Sequence, residues 1–155
     1  FEVRLIRKGT VGIGVMLAGS KQTLQRGTVG GTSCPTSHGV VCMCEDEEES
    51  KEGGKDEEEK KNEVSVDFES GNVLKTRPND VIGVAFCQSD MPMLSFYHNG
   101  TSISIYDVDK VRGTVRPAIS VEHGASAEFI FEEESFKYSP PNSRCCELIA
   151  ATSVL

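Results

Sequence analysis

The side chains best suited to chemistry in this chain are four cysteines in two tight pairs and three scattered histidines. Cys42 and Cys44 sit two apart, and Cys145 and Cys146 are adjacent. Four thiolates could hold zinc, but neither pair has the usual two-residue spacer. Neither pair closes a useful disulfide loop, and Cys34 and Cys87 stand alone. Reduced thiols in the cytoplasm or nucleus fit this pattern better than a stapled secreted domain. His38, His98 and His123 fall in three different segments, and no Ser lies in a nucleophile-elbow motif. Gly12-Ile13-Gly14 lacks the third glycine and following helix of a dinucleotide fingerprint, and the Gly-rich run 27–33 lacks the Gly-Lys-Ser/Thr ending of a phosphate loop. No catalytic residue, metal site or cofactor is therefore assigned, and the chain is read as a non-enzyme.

Charge points the same way. Of the net charge of −8, the segment Glu45 to Glu63 carries −7, from eleven acids against four lysines. The remainder is almost neutral, with no basic stripe of the kind nucleic acid attracts. The acidic segment contains Gly53-Gly54 and almost nothing apolar, so it cannot bury enough surface to offset its ordering entropy. It is expected to be a disordered insertion at 45–63. No run approaches the ~18 apolar residues of a membrane span.

The elements that must position any site are short strands. Phe1, Val3 and Leu5 alternate with polar neighbours, and Val11 to Val15 follows with two glycines where another backbone or an aromatic ring could approach. Ala18 to Ser37 is polar and Gly-rich, a long loop; Val40 to Cys44 is the next strand. Val64, Val66 and Phe68 alternate, then Val73 to Lys75, a turn at Pro78-Asn79-Asp80, and an apolar run from Val81 to Phe86 that suits a central strand. Leu94 to His98, Asn99-Gly100 and Thr101 to Ile105 predict a hairpin, since Asn-Gly suits a two-residue turn with positive φ at both positions. Val115 to Val121 and Ala125 to Phe131 supply the last strands. The pattern implies one all-β domain, a two-sheet antiparallel sandwich over 1–141, followed by a tail at 142–155. The chain opens at Phe1 inside an apparent strand and without Met, so preceding sequence is expected.

The order of particular words goes further. Asp80-Val81-Ile82-Gly83-Val84, then Leu94 to Gly100, Arg116-Pro117-Ala118-Ile119-Ser120-Val121 and Phe136 to Pro141 resemble the core of the SPRY family, and Phe1-Glu2-Val3 with Gly12-Ile13-Gly14-Val15 fits in place. The resemblance implies a concanavalin A-like sandwich, short of the strands that usually precede Phe1, acting as an intracellular module that binds a protein or peptide through loops at one end. It would be a monomer by itself, with an adaptor or scaffold role. The family's pocket often includes a Trp-Gly pair after the Pro-containing strand. The matching positions are His123 and Gly124, next to Glu122. A second wall is expected from the Ala18 to Ser37 loop, with Gln25 and Arg26 its most contact-capable side chains. Alternation along the strands puts the Glu122 loop at the same end as Asn99-Gly100 and the acidic insertion, with the long loop starting at the other end. The family usually carries a Trp just before Gly-Ile-Gly-Val; Thr10-Val11 stands there, and the chain has no Trp at all. The competing function is a lectin-like carbohydrate-binding domain of the same architecture. Against it stand only three Tyr, no Trp, and no compact Asp/Asn ligand cluster.

Overall fold

A computed structural model describes residues 1–18, 37–45, 66–67, 73–142 and 145. Among them eleven strands form two stacked sheets. The strands are Glu2–Arg7 (β1), Gly9–Leu17 (β2), Ser37–Cys44 (β3), Val66–Asp67 (β4), Val73–Thr76 (β5), Val81–Cys87 (β6), Met93–His98 (β7), Thr101–Ser102 (β8), Val108–Asp109 (β9), Val115–Glu122 (β10) and Ser126–Ile130 (β11). One sheet runs β11-β1-β6-β7-β8, with β9 also on β7; the other runs β10-β2-β3-β5-β4.

Period-two alternation decides what faces inward. Val3 and Leu5 of β1, Ile82 and Val84 of β6, and Leu94 and Phe96 of β7 meet Val11, Ile13 and Val15 of β2, Val40, Cys42 and Cys44 of β3, and Leu74 of β5 in one core. Each fully buried aliphatic or aromatic side chain here contributes about 2 kcal/mol relative to exposure. β6 lies between β1 and β7, the central place its continuous apolar run requires. Gly14 also has its reason: a Cβ there would lie 2.0 Å from the His38 carbonyl oxygen of β3, so the neighbouring backbone occupies that space.

One strand expectation needs correction. Thr101 to Ile105 does not continue as a strand; β8 stops at Ser102 and a 3₁₀ turn covers Ser104–Tyr106. The turn brings Ile103 and Tyr106, three residues apart, into the core, and leaves Ile105 58 % exposed. Alternation of Ile103 with Ile105 imitated a strand because the residue that completes the buried pair is an aromatic one position further on. Antiparallel pairing dominates both sheets, as the expected sandwich requires, and within it β3 and β5 form a parallel pair. β4 pairs antiparallel with the far side of β5. Residues 46–63 of the insertion, Val64, Phe68 and tail residues 143–144 and 146–155 lie outside the described residues.

Candidate functional site

The chain crosses between the sheets at one end in two adjacent places. β1 leads into β2 through Arg7–Gly9, and β10 leads into β11 through Glu122–Ala125. The crossings touch backbone to backbone: a Cβ on Gly9 (φ +133°) would meet Ala125 N and Glu122 O at 2.7 Å. Only glycine fits there, in both conformation and space. The second crossing is a two-residue turn with φ +57° at His123 and +80° at Gly124, closed by the Ala125 N–H on the Glu122 carbonyl at 3.1 Å. His123 is exposed, with Nδ1 3.2 Å from Thr10 Oγ1. Thr10, of the Thr10-Val11 pair that stands where the family resemblance would place one Trp, is therefore a neighbour of His123, which stands where it would place another.

Between the crossings and the Pro78 turn runs a shallow groove of about 410 Å³, lined by Ile6, Arg7, Lys8, Pro78, His123 and Gly124. Ile6 is 43 % exposed, an apolar floor beside two cations. Register confirms what else shares this end. Glu122 pairs with Thr10, Gly9 with Cys44, and Cys44 with Thr76, so the start of the acidic insertion emerges here too.

The Asn99-Gly100 turn stands at the same end and is tied inward. Asp80 accepts from His98 Nε2 at 2.8 Å, from Asn99 Nδ2 at 2.8 Å and from the Arg77 N–H at 2.9 Å. Asn99 Oδ1 accepts the Val81 N–H at 2.9 Å. Burial pushes the Asp80 carboxyl up, but hydrogen bonds from His98, Asn99 and Arg77, together with attraction to His98, outweigh it and hold the pKa at about 2. A His–Asp pair can orient a nucleophile. Here the remaining partners are an amide and a backbone N–H, so the arrangement clamps the Arg77–Asp80 turn to the hairpin.

At the opposite end a second groove of about 450 Å³ is larger, lined by Phe86, Gln88, Asp90, Pro92, Val111 and Arg112 among others. The long loop begins and returns there: Leu17 pairs with Val115, Met16 with Ser37, and the Ala18 N–H reaches the Thr114 carbonyl at 2.8 Å. Gln25 and Arg26 lie outside the described residues. Of the site residues expected from sequence, Glu122, His123 and Gly124 come together with one another. Ile6, Arg7, Lys8 and Pro78, which line the groove beside them, were not among the expected residues, because only the strand register brings them to His123.

Cys42 and Cys44 point into the core, and burial pushes the Cys42 thiol far up. Cys87 is exposed, and Cys145 lies near enough to Tyr97 to act on it electrostatically. Among the described residues no group of three or more His, Cys, Asp or Glu converges on a possible metal position. No helix among them is long and apolar enough to cross a membrane.

The model of the SPRY domain matches residues 1–134. The chain belongs to the SPRY family. Comparison with curated proteins and with solved structures gave no match. SPRY domains are in general protein–protein interaction modules, and the family is typically non-catalytic.

Proposed function

We propose that this SPRY domain binds a protein or peptide partner through the loop end that holds Glu122, His123 and Gly124, as an adaptor or scaffold subunit without catalysis of its own. The observation that carries this reading is the groove beside the paired crossings. It combines an apolar floor, exposed Ile6 and half-buried Pro78, with Arg7, Lys8 and an outward histidine on a backbone fixed by Gly9. Rigid scaffolds presenting such a surface bind without a large ordering cost. The domain is taken to run to Pro141, with Gln25 and Arg26 as a further contact if their loop reaches this end. The cysteine spacing, in which neither Cys42/Cys44 nor Cys145/Cys146 closes a useful disulfide loop, supports a reducing cytoplasmic or nuclear setting. Arg112-Gly113-Thr114-Val115-Arg116-Pro117 and the Tyr-Ser-Pro-Pro ending resemble the small member called SPRY domain-containing protein seven.

The test uses a partner recovered by affinity capture and then measured by calorimetry. Arg7→Glu with His123→Asn should weaken binding by at least about 1.4 kcal/mol, a tenfold loss. Asp90→Lys, at the other end, should leave affinity unchanged. The reverse pattern would overturn the reading and move the surface to the Phe86–Arg112 groove.

A further inference from the structure

The outer face of the six-stranded sheet behaves as an occupied site. By alternation Glu2, Val81 and Ser95 should face outward, yet they are 5 %, 1 % and 7 % exposed, and Val81 lies outside the inter-sheet core. Part of the cover is visible. After β11 and a 3₁₀ turn at Glu133–Ser135, the chain passes back over this face. Both carboxylate oxygens of Glu2 are used there: Oε2 accepts the Lys137 N–H at 2.7 Å and Oε1 accepts the Tyr138 N–H at 3.1 Å. The Tyr138 ring lies over Gly100, where a Cβ would come within 2.7 Å of Cδ1. Lys137 Nζ reaches the Asn79 carbonyl at 3.5 Å and sits 5.5 Å from the Tyr138 ring centroid.

A buried carboxylate reading two successive main-chain N–H groups is a way of holding a peptide rather than packing a core. Charge-assisted bonds of this kind are strong and read backbone, not side chain. The glycine shelf then selects an aromatic ring at the second position. Tyr138 is the last aromatic residue of the chain, so no later pair of N–H groups in the tail brings a ring at its second position.

We propose that the outer face centred on Glu2 and Gly100 is a second peptide-binding cradle, filled in cis by Phe136–Tyr138. It would accept, in exchange, an extended segment from another protein that offers two consecutive main-chain N–H groups with a tyrosine at the second. The cradle is separate from the His123 groove, so either reading can fail alone. Exchange there would still be felt at the loop end, because Lys137 touches Asn79, next to the groove residue Pro78.

The test keeps the whole chain. A protease recognition sequence is inserted between Glu133 and Glu134, in the exposed 3₁₀ turn, and the chain is cut after folding. A labelled synthetic peptide of residues 134–142 should then replace the severed strap, read by anisotropy and native mass spectrometry. N-methylation of the peptide at the amide of Lys137 or of Tyr138 should weaken it by at least about tenfold, while N-methylation at Phe136 should not. Glu2→Gln in the protein should act in the same direction. Three results would each overturn the proposal: a severed strap that neither leaves nor exchanges, a cut chain that loses its native spectrum, or N-methylated peptides that bind equally well.

Discussion

Two turns at the same end of the sandwich have nearly the same backbone and opposite uses of their side chains. Asn99-Gly100 has φ of +48° and +80°, and His123-Gly124 has +57° and +80°. In the first turn the asparagine faces inward, accepting the Val81 N–H and donating to Asp80, and its glycine lies under Tyr138. In the second the histidine is exposed and lies 3.2 Å from Thr10, and among the described residues nothing comes within 4 Å of a would-be Cβ on its glycine. A left-handed pair of residues thus serves as an anchor where its side chains find buried partners, and as a display where they do not. The difference lies in the surroundings, since the buried-side acceptor Asp80 stands beside one turn and the Thr10 hydroxyl beside the other.

The largest expected effect comes from removing the anchor. Asp80→Ala would leave His98, Asn99 and the Arg77 N–H without their acceptor and should destabilise the domain by about 2–3 kcal/mol. Thr10→Val, the analogous cut at the second turn, should cost under about 1 kcal/mol. Urea unfolding of both variants makes the comparison, and equal losses would show that the two turns are anchored alike.

The glycines give a matched pair with less dependence on side-chain chemistry. Gly100→Ala meets both a positive φ and the Tyr138 ring and should cost about 2 kcal/mol, whereas Gly124→Ala meets only the positive φ and should cost about 1 kcal/mol. Thermal melts of the two variants are sufficient. Near-equal shifts would mean that Tyr138 does not press on the hairpin.

Much of this was legible in the sequence, for reasons particular residues make plain. Val3/Leu5, Val11/Ile13/Val15 and Leu94/Phe96 alternate cleanly because one face of each strand meets the other sheet, and Asn99-Gly100 is a turn word with a single geometry. His123-Gly124 was visible only through family resemblance, because histidine is a less usual occupant of positive φ than asparagine. The parallel pairing of β3 with β5 was not legible at all: alternation says which face is buried but nothing about strand direction. The groove escaped because Ile6-Arg7-Lys8 and Pro78 join His123 only once the register is known. The clamp on Asp80 escaped because an acid before an apolar strand reads as an ordinary turn residue.

Acid should weaken the anchor selectively. The Asp80 carboxyl is held at about 2, below the ordinary 3.8. A folded-state pKa below the unfolded one means that the stabilisation is complete above about pH 4 and is lost as pH falls toward 2. The shift corresponds to roughly 2 kcal/mol if fully buried; Asp80 is partly exposed, so about 1 kcal/mol is expected after screening. Wild type should therefore lose about 1 kcal/mol more than Asp80→Asn between pH 5.5 and pH 2, measured by denaturant titration. Parallel pH curves would show that the hydrogen bonds to Asp80 do not favour its charged form.

The smallest effect is the most discriminating for the display turn. His123→Asn keeps a side chain that tolerates φ of +57° and gives up only an exposed ring 3.2 Å from Thr10, so stability should change by less than about 0.5 kcal/mol. His123→Ala should cost about 0.5–1 kcal/mol more than His123→Asn, because alanine loses the local polar contact that eases the left-handed backbone. That ranking, Asn near wild type and Ala below both, is what a residue retained for its backbone and its outward face produces. It also makes His123→Asn the proper variant for binding measurements, because a loss of partner affinity could not then be traced to a damaged turn. If His123→Asn instead cost more than about 1 kcal/mol, the imidazole would be holding the crossing together as Asn99 holds its hairpin. The contrast between anchor and display would then fail at the position on which the proposed binding end depends.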